Sequence, residues 1–321
     1  MTRLTIRQME YFDSLAETLH FGRAAALAGV TQPALSAQIA EMETRLGCRL
    51  FERGDGAVGL TGEGRALRPR VKRILAEIRD LESVARRGQQ VLEGRFRLGI
   101  IPTVAPYLLP SLLPELKRHF PALQLELHEA RTGTLLEETA SGRLDAMIAA
   151  LPLDEPALAV KALFEDRFLL AVSEHDPAFL APPVPPDSPA LERLMLLEEG
   201  HCMREQALAV CGKVRPVAMA SYGATSLTTL MQMVAHGLGV TLIPEMAAEF
   251  ARAMPDLKVV PFAEPAPART ICLAWRKSSG RREDCAVLAN TLGKLHPVVQ
   301  PNGQNNLRSW KVDNKRVAAS P

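Results

Sequence analysis

The sequence predicts an α/β protein: a helical N-terminal segment, one long connecting helix, and a larger C-terminal unit in which strands and helices alternate. Three observations predict it. Short helical patterns fill residues 1–60, with a break at Ala28-Gly29-Val30-Thr31. Residues 61–90 carry one uninterrupted helical pattern. Across 95–297, apolar runs such as 97–101, 123–127, 146–151 and 168–172 alternate with helical stretches. The expected boundaries are therefore 1–60, 61–90 and 91–297. Residues 298–321, with Gln, Asn, Pro, Ser and scattered basic side chains, are expected to form a disordered tail.

A chain of 321 residues suits two or three domains, and 47% hydrophobic content supplies their cores. A net charge of +2 leaves nucleic-acid binding open, because phosphate contacts need a local patch rather than a basic chain. No apolar run of 18 residues predicts a membrane span. The start, MTRLTIRQMEYF, lacks the apolar core of a secretory signal. Five cysteines without a signal point to thiols kept reduced, so a cytoplasmic location is expected. Any disulfide would then be regulatory or catalytic rather than a staple.

The first element is a helical hairpin. Ala24 to Ala28 are strong helix formers, and Gly29 suits the turn because it takes positive φ without steric cost. Thr31 stands at the N-cap of the next helix and Pro33 in its first turn. Leu35, Ile39, Met42 and Leu46 then form an inward stripe. Gln32, Pro33 and Ser36 are left at the outward leading end, where a recognition helix meets base edges. Arg49 and Arg53 follow in a loop before Leu60, as in the wing of a winged helix. On spacing alone, a capped hairpin with no nucleic-acid partner fits as well.

The long helix carries Leu67, Val71, Ile74, Ile78, Leu81 and Ala85 at spacings of four and three, a heptad seam that a second copy could bury. Packing on its own domain is the alternative. Arg68, Arg70, Lys72, Arg73, Glu77 and Arg79 cover the remaining face. A dimer is preferred, since paired recognition helices read paired half-sites.

The sharpest chemistry lies in LLEEGHCMREQALAVCGK. Cys202 and Cys211 stand nine residues apart in good helix formers that Gly200 can open. On one helix their Cα atoms would be roughly 13 Å apart along the axis, whereas a disulfide needs about 7 Å or less. Bond formation would therefore require the segment to unwind. Cys202 sits at the helix start, where free N–H groups and the dipole favour a thiolate, flanked by His201 and Arg204. Cys211 lies among Ala and Val. A peroxide-reactive thiol and a resolving thiol fit this asymmetry, as do two ordinary, partly buried thiols. Cys48, Cys272 and Cys285 read as structural, and no metal-ligand spacing, P-loop or G-x-S-x-G motif occurs, so no cofactor or metal is expected.

The run FGRAAALAGVTQPALSAQIAEMETRLGCRLFERG resembles the DNA-binding domain of LysR-type transcriptional regulators almost residue for residue. It departs at Gly54-Asp55-Gly56, where members often carry more basic residues in the wing. The stretch G-H-C-x-R-x-Q-A-x-x-x-C is similar to the redox motif of the family's peroxide-sensing members, and the likeness extends over roughly residues 1–297. The resemblance implies a winged helix-turn-helix with a dimerising linker helix, then a two-subdomain effector domain like a periplasmic binding protein. Crossovers are expected near 161–166 and 262–269. It implies Cys202 as the peroxidatic and Cys211 as the resolving cysteine. Thr103, Thr132 and His201 would line the peroxide pocket, with Ser226 and Thr228 nearby and Arg269 on the Cys202 thiolate or the leaving oxygen. DNA contacts would come from Thr31, Gln32, Pro33, Ser36, Arg49 and Arg53. The implied partners are double-stranded promoter DNA, hydrogen peroxide, further copies of the chain up to a tetramer, and RNA polymerase. A regulator gated by a small organic effector and a thiol peroxidase are the alternatives, and the helix-turn-helix weighs against the enzyme.

Overall fold

The computed structural model describes residues 4–54, 57–86, 90–176, 182–186, 188–211 and 224–295. The expected tail, the wing tip at Asp55 and Gly56, and the last expected linker residues, 87–89, lie outside the described residues, as does 212–223 beyond Cys211.

The N-terminal unit is built from α1 (Ile6–Thr18), α2 (Phe21–Leu27), α3 (Gln32–Leu46) and a hairpin of β1 (Phe51–Gly54) and β2 (Ala57–Leu60). A capping box starts α1: the Thr5 hydroxyl accepts the Gln8 N–H at 3.2 Å, and the Thr5 N–H donates to Gln8 Oε1 at 3.1 Å. Gly29 turns the chain between α2 and α3 at φ +65°, beyond the reach of most L residues. Thr31 takes the extended N-cap conformation of α3, without a side-chain cap bond, and Pro33 lies in the first turn. Leu35, Ile39 and Met42 are buried with Tyr11, Phe12, Leu15 and Leu50 in one core. Arg53 was expected in a loop. It lies instead on β1, paired in register with Val58.

Helix α4 (Gly62–Arg86) leaves this unit, and its seam corrects the sequence reading. Val71 is 2% exposed and packs with Leu75 into the core of its own winged helix, with Leu67 and Ile78 partly buried against the same core. Ile74 and Leu81 of the expected seam stay open, at 43% and 72% exposed. With Arg73, Glu77 and Ile78 they border a shallow surface groove. A straight helix drifts off a 3.5-residue repeat, so a four–three stripe can split between two faces. Part of it met the helix's own domain.

The C-terminal unit begins with β3 (Gly94–Ile100), α5 (Ala105–His119), β4 (Leu123–Glu129), α6 (Thr132–Ala140) and β5 (Ala146–Ala150). Strand β6 (Leu158–Ser173) follows, then α7 (Cys202–Cys211), α8 (Leu227–Ala235), β7 (Thr241–Pro244) and α9 (Ala248–Arg252). The chain returns through β8 (Leu257–Pro261), β9 (Ala268–Arg276) and α10 (Arg282–Leu295). Strand order is β4-β3-β5-β9-β6-β7, with β8 on the other side of β6. Strand β6 serves both halves: residues 158–167 pair with β9, and 168–173 pair with β7 and β8. Two buried cores result, one around Phe96, Leu98, Ile148 and Leu273, the other around Phe168, Leu170, Met231 and Leu242. The chain thus crosses between subdomains once inside a continuous strand and once in 262–267.

Candidate functional site

Three chain turns meet at the subdomain boundary. The loop after β3 brings Ile101, Pro102 and Thr103, the start of α6 brings Arg131 and Thr132, and the start of α7 brings His201 and Cys202. Together they line a narrow crevice, closed down so far that a water-sized molecule has no room in this conformation. Gly200, at φ +89°, makes the turn into α7, and a side chain there would meet Arg131 Cδ at 3.1 Å.

Cys202 is the first residue of α7, half-buried, with its thiol free. It packs against the first subdomain's core, whereas Met203 and Ala207 of the same helix are buried in the second. Arg204 Nη1 donates to the Leu197 carbonyl at 2.9 Å, and Gln206 Nε2 to the Leu151 carbonyl at 3.1 Å. Helix α7 is thereby stitched to both subdomains. Cys211 ends it, so the two cysteines stand at opposite ends, about 13 Å apart along the axis.

Two threonines line the crevice together with Cys202. Thr103 is buried, and its Oγ1 accepts from Arg269 Nη1 at 2.9 Å. With that lone pair engaged, the Thr103 proton is free to point elsewhere. Thr132 Oγ1 is buried without a hydrogen-bond partner among the described residues. A buried hydroxyl left unpaired costs about 1–3 kcal/mol, which a ligand oxygen would recover.

Arg269 departs from expectation. Its guanidinium stands behind Thr103 rather than lining the crevice beside Cys202. Nε and Nη2 hold Asp166 Oδ2 at 3.0 and 2.9 Å with both side chains 0% exposed, and Nη2 also donates to the Thr103 carbonyl at 3.1 Å. Asp166 Oδ1 accepts the Met246 N–H at 3.2 Å from the second subdomain. The buried pair therefore pins Thr103 to the point where β6 changes subdomain. Sequence reasoning missed Asp166, which sits 103 residues from its partner.

Ser226 and Thr228 also fall elsewhere. Ser226 caps α8, its Oγ accepting the Thr229 N–H at 3.1 Å. Thr228 is exposed and hydrogen-bonds Tyr107. Neither lines the crevice.

Electrostatics set the thiols and the imidazole apart. Burial, and then the Arg131 charge, push the His201 pKa below its ordinary 6.5, so at neutral pH the ring is uncharged. Burial raises the Cys272 thiol to about 12 and the Cys285 thiol further still, so both stay protonated.

The second surface is the leading end of α3. Thr31, Gln32 and Pro33 are exposed there, Ser36 is half-buried one turn on, and Arg49 is exposed in the loop before β1. The C-terminal unit touches α4 and α1 of the N-terminal part. Glu137 on α6 is bonded by Lys72 and lies 3.8 Å from Arg68, Arg79 Nη1 donates to the Ser141 carbonyl at 2.6 Å, and Arg143 Nη1 meets Glu17 at 3.1 Å. Among the described residues no helix is long and apolar enough to cross a membrane, and no group of three or more His, Cys, Asp or Glu is placed to hold a metal ion.

Comparison with known proteins gives the same two units. Residues 6–65 match the family model described as "Bacterial regulatory helix-turn-helix protein, lysR family", and residues 89–295 match "LysR substrate binding domain". The chain is 39% identical over 289 residues to the DNA-binding transcriptional dual regulator OxyR of Escherichia coli K12, covering 90% of this chain and 95% of that one. Among solved structures it is similar to a full-length cysteine-to-aspartate variant of OxyR from Pseudomonas aeruginosa, with TM-score 0.70 and 34% identity over 90% and 95% of the two chains. A cysteine-to-serine variant of Corynebacterium glutamicum OxyR with hydrogen peroxide bound gives TM-score 0.62 and 34% identity over 91% and 92%.

Proposed function

The chain belongs to the LysR family of bacterial helix-turn-helix transcriptional regulators, and from that premise we propose that it senses hydrogen peroxide at Cys202 and reports it on promoter DNA. The unpaired Thr132 hydroxyl beside the free Cys202 thiol carries this reading, because it marks a small polar ligand's place against a nucleophile. Thr103 and Thr132 hold one peroxide oxygen while the Cys202 thiolate attacks the other. The O–O bond breaks, Cys202 becomes a sulfenic acid, and the leaving oxygen departs as water after taking a proton. The Cys211 thiol then displaces hydroxide from the sulfenic sulfur, forming the disulfide and a second water. One peroxide is consumed per disulfide, and an external dithiol resets the pair; a thiol peroxidase would share that stoichiometry, and the helix-turn-helix favours the sensor.

Geometry turns oxidation into a signal. Cα atoms about 13 Å apart must come within about 7 Å, so α7 has to unwind. Unwinding withdraws Met203 and Ala207 from the second core, breaks the Arg204 bond within that subdomain and breaks the Gln206 bond that ties α7 to the first. Oxidation shifts DNA binding only by as much as the two effector states differ in free energy for the DNA-binding dimer arrangement.

On the DNA side, Gln32, Pro33 and Ser36 present the recognition surface, with Thr31 at its N-cap and Arg49 and Arg53 for phosphates. The open Ile74 and Leu81 meet a second copy along α4, larger assemblies form through the effector domains, and RNA polymerase is engaged at the promoter. Thiol trapping with mass spectrometry after a peroxide pulse tests the chemistry. The parent should yield the 202–211 disulfide, Cys211→Ser a sulfenic acid on Cys202, and Cys202→Ser neither. Equal oxidation of Cys48 and Cys202 would reject the reading.

A further inference from the structure

The seven residues lining the crevice differ in exposure. Ile101, Thr103 and His201 are buried, Pro102, Thr132 and Cys202 are half-buried, and Arg131 alone is exposed. Arg131 precedes α6 as its N-cap residue, and its side chain lies flat over Gly200, where a Cβ would stand 3.1 Å from Arg131 Cδ and 3.5 Å from Nη1. Its Nη2 reaches Glu198 Oε2 at 3.0 Å, on the far lip. The guanidinium thus spans the turn that delivers Cys202. Because the crevice is closed to a water-sized molecule, a peroxide must wait for some part of the lining to move. Thr103 is pinned by Arg269, and His201 is packed beneath the surface. The Arg131–Glu198 pair is the part that moves easily, since exposed ion pairs are weak and their side chains reorient quickly.

We propose that Arg131, clamped by Glu198 across Gly200, is a gate and specificity-determining residue for Cys202: it swings aside for hydrogen peroxide and keeps hydroperoxides with a bulky alkyl group out. The proposal rests on the peroxide-sensing reading and adds the chemical class of oxidant the site takes. A hydrogen peroxide molecule is two oxygens with donors at both ends, and a small displacement of the guanidinium admits it. A tertiary alkyl group has to pass the same lip, and the other lining residues are buried or half-buried. The same charge is one of two groups that face His201 electrostatically, the other being Glu198, while Cys202 shares the crevice with it. Arg131 helps to keep the ring neutral, and Glu198 opposes it.

The test is the second-order rate of Cys202 oxidation by hydrogen peroxide and by tert-butyl hydroperoxide, measured on the full chain. Arg131→Ala should raise the alkyl-to-hydrogen-peroxide rate ratio about tenfold, because nothing then covers the turn at Gly200. Arg131→Lys should relax selectivity less, since it keeps a long charged chain without the planar fork that grips Glu198. Glu198→Gln should relax selectivity less than Arg131→Ala, and both sites are exposed enough to be changed without unfolding the chain. An unchanged ratio in Arg131→Ala, with the parent reactive toward hydrogen peroxide, overturns the gate alone. A parent inert to hydrogen peroxide overturns the sensing reading and the gate with it.

Discussion

Removing the Asp166 carboxylate should damage stability and sensing together. Asp166 and Arg269 are both 0% exposed and joined at 2.9 and 3.0 Å, so Asp166→Ala strands a guanidinium in the interior. Breaking a buried pair from one side costs about 3–5 kcal/mol. The change also orphans the Met246 N–H, bonded at 3.2 Å. The two losses overlap, since both come from one carboxylate, so about 3–5 kcal/mol is expected in all. Against a typical stability of 5–15 kcal/mol that is a large fraction. Asp166→Asn keeps the shape and one acceptor and should cost less. Urea unfolding followed by fluorescence of Trp275, on the same strand as Arg269, measures it. The free Arg269 would also stop orienting the Thr103 hydroxyl, and loss of one oriented hydrogen bond, about 1 kcal/mol, slows oxidation of Cys202 roughly fivefold. An alanine variant within about 1 kcal/mol of the parent, oxidising at the parent's rate, would refute the role assigned to this pair.

Other perturbations follow from single contacts. A Cβ at Gly64 would lie 2.2 Å from the Leu50 carbonyl oxygen and 2.9 Å from Leu60 Cδ2, so Gly64→Ala should destabilise the winged helix by about 1–3 kcal/mol and weaken DNA binding. Thermal unfolding and DNA titration check it. Burial keeps His201 from taking a proton that the unfolded chain accepts below about 6.5, so folding stability should fall as pH drops from 6.5 toward the lowered folded value. His201→Asn should flatten that slope and leave stability above pH 7 unaffected by titration, which urea midpoints between pH 5 and 8 would reveal. Glu137→Lys should reverse its attraction to Lys72 and Arg68 and uncouple α6 from α4. Footprints of its oxidised and reduced forms should differ less than the parent's.

The helix-turn-helix was legible because local chemistry and core pattern agree there. Gly29, Thr31 and Pro33 mark the boundaries, and Leu35, Ile39 and Met42 mark the buried face. The seam on α4 was only half legible. Apolar spacing puts Val71 and Ile74 in one stripe, but does not show that Val71 meets its own domain while Ile74 stays open. The α7 segment read well, since helix formers and two terminal cysteines fix its geometry. What escaped were long-range partners: Asp166 behind Arg269, and Glu198 across from Arg131, 67 residues away. Charged residues give no sequence period that names their partner. Ser226 was read only as a pocket neighbour, although a serine before an apolar helix serves equally as a cap, and here it caps α8.

The most direct measurement takes one peroxide-treated sample and follows the 202–211 disulfide by mass spectrometry, protease sensitivity of residues 200–211, and the DNA footprint. Disulfide formation should come with new cleavage inside α7 and an altered footprint, while Cys211→Ser keeps both at the reduced pattern although Cys202 oxidises. A fully formed disulfide with the reduced protein's protease pattern and footprint would contradict the claim that oxidation is read out by unwinding α7.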